Sequence, residues 1–166
     1  MTAISVGTLT DTFKEVMAGV CSPVSVVTAT ADGRPHGSTV SAFASLSLVP
    51  PMVLISLDQR SGLLALIRDT HRFGVNVLGG DQAGLAVTFA SKGAEKFAGV
   101  PWQSEQGLPR LAGAPGWLAC DVTEFVLAGD HVIVLGEVTS ADATTVTPPL
   151  TYHRREFGTH RALEPE

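Results

Sequence analysis

Residues His36 to Ser47 read His-Gly-Ser-Thr-Val-Ser-Ala-Phe-Ala-Ser-Leu-Ser. Five small hydroxyl residues, Ser38, Thr39, Ser41, Ser45 and Ser47, are interleaved with Val40, Ala42, Phe43, Ala44 and Leu46. A buried strand is ordinarily filled by Val, Ile and Leu. Small polar residues pack poorly there, and each buried hydroxyl needs a hydrogen-bond partner. A flat, polar, aromatic ligand resolves the conflict. Its faces would lie against the small side chains, and its edge atoms would take the hydroxyls and the strand amides. The plainer reading is a solvent-facing sheet edge with Ser and Thr on the wet side.

Other chemistry is largely excluded. No Gly-x-Gly-x-x-Gly follows a strand, so a Rossmann-type dinucleotide site is not indicated. No His or Cys cluster has metal-ligand spacing, and no Gly-x-Ser-x-Gly elbow occurs. An enzyme without an obvious nucleophile points to a cofactor that carries the reaction. The chain has only three lysines, Lys14, Lys92 and Lys96. Two of them in one loop suggest an anion site; a solvated face is the plainer alternative.

The elements that would position these residues are legible. Phe13, Val16, Met17 and Val20 fall on one face of a helix over 8–18, with Thr12 and Glu15 at capping-box spacing. Val24 to Thr30 is a β-branched strand, and Ala31-Asp32-Gly33 a hairpin turn. Pro35 to Ser47 is the return strand, with a bend expected near Ala44. Met52 to Leu57 is a buried strand and Ser61 to Asp69 a short helix. Arg72 to Leu78 is a strand, and Asp81 to Ala90 a helix capped by Asp81. Lys92 to Pro115 reads as a long Gly/Pro-punctuated loop of the kind found at functional sites or interfaces. Trp117 to Leu127 and His131 to Ala141 are long strands, and a short one lies around Leu150 to His153. Many strands with few short helices argue for a closed antiparallel barrel with helices outside.

At 166 residues the chain is expected to be one domain, with its core over about 13–157. Hydrophobic residues make up 45% and charged residues 16%, so disorder is excluded and a partner chain covering apolar surface is expected. The net charge is −5 and no basic run exists, which argues against nucleic acid and acidic membranes. The N-terminus lacks a leader pattern and no run is long enough to span a bilayer, so a cytoplasmic location is expected. Cys21 and Cys120 are expected as free thiols, Cys120 in the core.

Four segments in order carry a resemblance: Gly37 to Phe43 with Ser45 to Pro51, Ser56 to Gly62, Phe89 to Lys92 with Lys96 to Gly99, and Gly129-Asp130-His131. With this set, from about Phe13 to Phe157, the chain resembles the flavin reductase family of the FMN-binding split-barrel fold. These are the reductase components of two-component flavin-dependent monooxygenases. The resemblance implies a mainly β protein: a six-stranded antiparallel Greek-key split barrel with short flanking helices, working as a homodimer. It implies reduction of FMN or FAD by NADH or NADPH, and delivery of reduced flavin to a partner oxygenase.

Site residues follow from it. Ser38, Thr39, Val40, Ser41 and Ala42, with Ser45 and Ser47, would line the flavin ring, and the amides of Val40 to Ala42 would meet its N5 and O4 edge. A donor aimed at N5 favours the electron density that arrives there. Ser56, Leu57, Asp58, Ser61 and Gly62 form a strand-to-helix connection. There Ser61 could be a simple cap or could also hold phosphate or ribityl oxygens. Phe89, Ala90, Ser91, Lys92 and Phe97 would surround the phosphate, with Lys92 favoured over Lys96 as its partner. Lys96-Phe97 stands where the family often has Arg-Phe, which removes a guanidinium fork. His131 would be the catalytic residue, in contact with the nicotinamide or the flavin, and Tyr152, His153 and Arg154 would approach the nicotinamide dinucleotide. Two other readings are a non-catalytic flavin- or haem-binding module and a split-barrel flavin oxidase.

Overall fold

The computed structural model describes residues 6–143 and 147–164. Met1 to Ser5, on which part of the leader argument rests, lie outside the described residues. In chain order the elements are α1 (Val6–Ala18), β1 (Ser22–Pro23), β2 (Ser25–Ala31), β3 (Arg34–Val40), β4 (Phe43–Leu48), β5 (Pro51–Asp58), α2 (Gly62–Thr70), β6 (Arg72–Val77), α3 (Ala83–Ala90), β7 (Trp102–Glu105), β8 (Leu108–Leu111), β9 (Gly116–Ala128), β10 (His131–Ala143), β11 (Leu150–His153) and β12 (Glu156–Thr159).

The main sheet runs β3-β2-β6-β9-β10-β5-β4, and every described pairing in it is antiparallel. Its two end strands, β3 and β4, are consecutive in the chain and separated only by Ser41 and Ala42. At that joint the Ser56 N–H donates to the Ala42 carbonyl at 2.9 Å. The ends of the sheet are therefore one bent strand, and the ring closes through it. Counting the bent strand once leaves six, as expected; the bend falls at Ser41–Ala42, two residues before Ala44.

Alternation decides which residues fill the ring. Val53, Ile55 and Leu57 on β5, Val132 and Val134 on β10, and Val27, Val40, Phe73 and Val75 form the interior. Helix α2 plugs one end with Leu63, Leu64 and Ile67. Helix α3 packs outside, where Ala86 and Phe89 join Val24, Val26, Leu78, Leu111 and Leu150. Two glycines make room for aromatic rings. A Cβ on Gly74 would sit 2.4 Å from Cη2 of Trp117, and one on Gly136 would sit 2.5 Å from Cζ of Phe73. Both distances are far inside van der Waals contact.

Several expectations change. Helix α1 starts before Thr12, whose hydroxyl donates to the Thr8 carbonyl at 2.8 Å, so Thr12 and Glu15 form no capping box. Among the described residues the α1 stripe is largely uncovered: Leu9 is 62% and Phe13 60% exposed. Gln82, not Asp81, is the N-cap of α3, with no side-chain cap bond. The segment from Lys92 to Pro115 contains the β7–β8 hairpin, anchored by buried polar groups. Thr28 Oγ1 donates to the Pro109 carbonyl at 2.8 Å, and the Leu111 N–H donates to Asn76 Oδ1 at 2.7 Å. The 32–33 turn has the expected left-handed geometry, with φ of 50° at Asp32 and 71° at Gly33.

Candidate functional site

The outer face of the barrel collects hydroxyls and charges from three strands. On β5, Ser56 and Asp58 alternate with the buried Val53, Ile55 and Leu57 and so point outward. His131 pairs with Asp58 and Ile133 with Ser56, so His131 shares that face. On β3, Thr39 also faces outward, and its hydroxyl donates to the Ala86 carbonyl of α3 at 2.7 Å. Ser41 follows at the exposed bend. The N–H groups of Ser41 and Ala42 find no hydrogen-bond acceptor among the described residues. From strand spacings, Ala42 and His131 lie about 12 Å apart along this strip. A strip of small residues with open amides fits the face and edge of a flat heteroaromatic ring.

Two clefts flank the strip. The first, about 450 Å³, is lined by Pro35 to Ser38, Ser61 to Leu63, Leu66, Gly93, Ala94, Lys96 and Phe97. Its floor depends on Gly37, where a Cβ would come within 3.0 Å of the Phe89 ring. Phe97 meets Phe89 edge-on, with centroids 4.9 Å apart. Lys96 Nζ donates to the Phe89 carbonyl at 2.9 Å and to the Gly37 carbonyl at 3.3 Å. An ammonium has three donors, so one remains for a ligand. Partial burial holds the Lys96 pKa below the ordinary lysine value. Ser61 caps α2 by accepting from the Leu64 N–H at 3.4 Å. A lysine facing a helix N-terminus suits a phosphate.

The second cleft, about 530 Å³, lies between α3 and the β11–β12 hairpin. Its lining includes Val24, Thr39, Ser41, Ala86, Val87, Ala90, Ser91, Tyr152, Arg155 and Phe157. Tyr152 and Phe157 form an aromatic pair with centroids 5.2 Å apart. Arg155 pairs with Glu15 of α1 at 3.0 Å.

At the far end of the strip, His131 Nδ1 lies 2.7 Å from Asp130 Oδ1. That contact holds the Asp130 carboxyl below the usual range. Asp58 accepts from the Arg60 backbone N–H at 2.8 Å and from its guanidinium at 2.9 and 3.1 Å. These bonds push the Asp58 carboxyl far down and Arg60 up. Both carboxylates are therefore charged throughout the neutral range.

Thr39, Ser41, Ala42, Ser56, Asp58 and His131 thus come together along the strip. Ser38, Ser61, Gly62 and Phe97 meet at the first cleft, and Ala90, Ser91 and Tyr152 at the second. The remaining residues lie elsewhere. The side chains of Val40, Leu57 and Phe89 are in the core and can offer only backbone atoms. A register shift between Ser45 and Ser47 turns these two to opposite faces of β4, and they pair with Val53 and Met52, away from the bend. Lys92 is exposed and lines neither cleft, whereas Lys96 lines the first. His153 is exposed on β11, and Arg154 sits in the turn, where its N–H donates to the Ala18 carbonyl at 2.8 Å. Sequence reasoning missed Arg155 and Phe157. The alternation of Tyr152 and Phe157 across a two-residue turn was the available signal. Among the described residues no group of His, Cys, Asp and Glu could hold a metal ion.

The pattern of the flavin reductase like domain matches residues 17–161. Over 146 residues the chain is 47% identical to the reductase component of 4-nitrophenol 4-monooxygenase/4-nitrocatechol 2-monooxygenase from Rhodococcus opacus, covering 88% of this chain and 78% of that protein. It is 38% identical to the NADH:riboflavin 5′-phosphate oxidoreductase of Streptomyces pristinaespiralis, covering 92% and 89% of the two chains. The crystal structure of nitrilotriacetate monooxygenase component B from Mycobacterium thermoresistibile superimposes with a TM-score of 0.91 at 29% identity, covering 98% of this chain and 93% of that one.

Proposed function

The chain belongs to the flavin reductase family, and from that premise we propose that it reduces free FMN or FAD with NADH or NADPH and releases reduced flavin to a separate monooxygenase. The observation that carries this reading is the outward strip of small residues with open amides at Ser41 and Ala42, set between the two clefts. With both ligands bound, the chemistry they supply is hydride transfer from the nicotinamide ring to the flavin ring.

The protein's work is positioning, which can account for much of the rate of such a step. The amides at Ser41 and Ala42 bond the polar edge of the flavin ring, and Thr39, Ser41 and Ser56 keep the surface beneath it small. Ser38, Ser61, Gly62 and Lys96 receive the phosphorylated tail. Lys96 contributes a point charge, not a fork, so it tolerates more than one tail geometry. His131 orients the nicotinamide at the other end of the strip. The aromatic pair Tyr152–Phe157 and the Arg155 guanidinium offer stacking and charge to the rest of the dinucleotide. No general base is required, because hydride transfer moves no proton.

The active form is a homodimer in the cytoplasm. Its support is the α1 stripe of Leu9, Phe13, Val16 and Met17, which stands exposed among the described residues. No helix among the described residues is long and apolar enough to cross a membrane.

NADH oxidation is measured with the purified protein, with and without added FMN, FAD or riboflavin. Turnover that depends on added flavin, with reduced flavin accumulating under anaerobic conditions, is the expected result. A permanently yellow protein inert to both nicotinamides would overturn the reading.

A further inference from the structure

We propose that Gln59 is a positioning residue that locks His131 to the flavin-side loop, an inference that rests on His131 facing the nicotinamide. Gln59 lies between Asp58 and Arg60 in the connection from β5 to α2. It contacts the β9–β10 turn twice. Its N–H donates to the Asp130 carbonyl at 3.0 Å, and its Nε2 donates to the Gly129 carbonyl at 2.7 Å. Two donors of one residue thus hold two successive carbonyls of one turn.

The β9–β10 ladder closes the turn by pairing His131 with Ala128, but side chains give it little support. Leu127 beside it is 69% exposed, and Ala128, Gly129 and Asp130 are all exposed. Gly129 takes φ of +64°, so the chain reverses there without a side chain that could pack. Asp130 in turn bonds the His131 ring at 2.7 Å, and His131 pairs across the sheet with Asp58. The imidazole is therefore aimed by a carboxylate whose own backbone Gln59 holds. An amide suits this position. Its neighbours Asp58, Arg60, Asp130 and His131 all carry or can carry charge, and a carboxylate there would lack the donor and would repel Asp130.

Loop and turn then move as one body. The same loop ends at Ser61, the cap of α2 that lines the tail cleft.

The test is a double-mutant cycle in the full-length enzyme. Gln59→Ala and Gln59→Glu are each made alone and with His131→Ala. Flavin affinity is read by fluorescence quenching, and nicotinamide KM and kcat by stopped flow with flavin saturating. Gln59 is exposed, so both variants should fold. Each Gln59 variant should raise the nicotinamide KM about three- to tenfold, the worth of a lost exposed-to-intermediate hydrogen bond, while flavin affinity holds within about twofold. In the His131→Ala background the Gln59 change should cost nothing further, because the group it positions is gone. A wild-type KM in either Gln59 variant, an equal loss for flavin and nicotinamide, or a full additive loss on top of His131→Ala would overturn the inference alone. A His131→Ala enzyme with wild-type kinetics would overturn the placement of the nicotinamide and the inference with it.

Discussion

Replacing Lys96 by Met keeps the length of the side chain and removes its charge and donors. In the folded chain that ammonium does two jobs. It ties β3 to the end of α3 through the Gly37 and Phe89 carbonyls, and it leaves one donor for a ligand in the first cleft. Losing the two structural bonds should cost about 1–2 kcal/mol of stability, or roughly 2–6 °C in Tm. A shielded charge-assisted bond to phosphate is worth about 1.5–3 kcal/mol. Lys96 is only partly buried, so solvent screening reduces this to about 1 kcal/mol, a loss of about fivefold in FMN affinity. Riboflavin, which has no phosphate, should bind Lys96→Met and the wild type alike. Lys92→Ala should leave both ligands unaffected. The assay is a quenching titration with FMN and riboflavin at fixed ionic strength. Repeated against pH, it should show the FMN preference falling as pH rises through the lowered Lys96 pKa, below the ordinary lysine range, because the neutral amine has no charge to offer. An equal loss for riboflavin, or the loss appearing in Lys92→Ala instead, would refute the reasoning.

Gly74→Ala places a methyl within 2.4 Å of the Trp117 ring and should destabilise by about 1–3 kcal/mol, read by chemical denaturation; a neutral result would mean the ring can withdraw. Thr39→Val removes the bond to the Ala86 carbonyl and should cost about 1 kcal/mol of stability with little change in flavin affinity; loss of affinity at unchanged stability would make the hydroxyl a ligand group. Burial pushes the Cys120 thiol from 9.0 up to about 12. The unfolded chain therefore gives up this proton at lower pH than the folded one, and stability attributable to the thiol falls as pH rises from about 9 to 12, by up to roughly 1.4 kcal/mol per unit. Denaturation across that range should show the slope in the wild type and lose it in Cys120→Ala; identical slopes would contradict the burial argument.

Local physics made much of this protein readable from its residues. The Asp32-Gly33 turn, the Ser61 cap, the alternation of the buried strands and the hydroxyl-rich run from Ser38 to Ser47 all depend on near neighbours. The order of its motifs carried the family. What sequence order does not contain is absolute facing. Alternation says that Ser38 and Thr39 point apart. Only closure of the ring decides that Thr39 looks out at α3 while Ser38 looks toward α2. The bend at Ser41–Ala42 and the register shift between Ser45 and Ser47 each reset the phase, so counting by twos fails across them. Phe89 and Leu57 stand inside motifs yet belong to the core, because the faces they share are covered by elements remote in sequence. Of two lysines four positions apart, the sequence favours Lys92 for the phosphate. Packing against Gly37 and Phe89 draws Lys96 into the cleft and leaves Lys92 in solvent. Arg155 and Phe157 join Thr39 through a hairpin more than a hundred residues away in the chain, and the α1 stripe is left uncovered. These are outcomes of long-range register, which no local preference specifies.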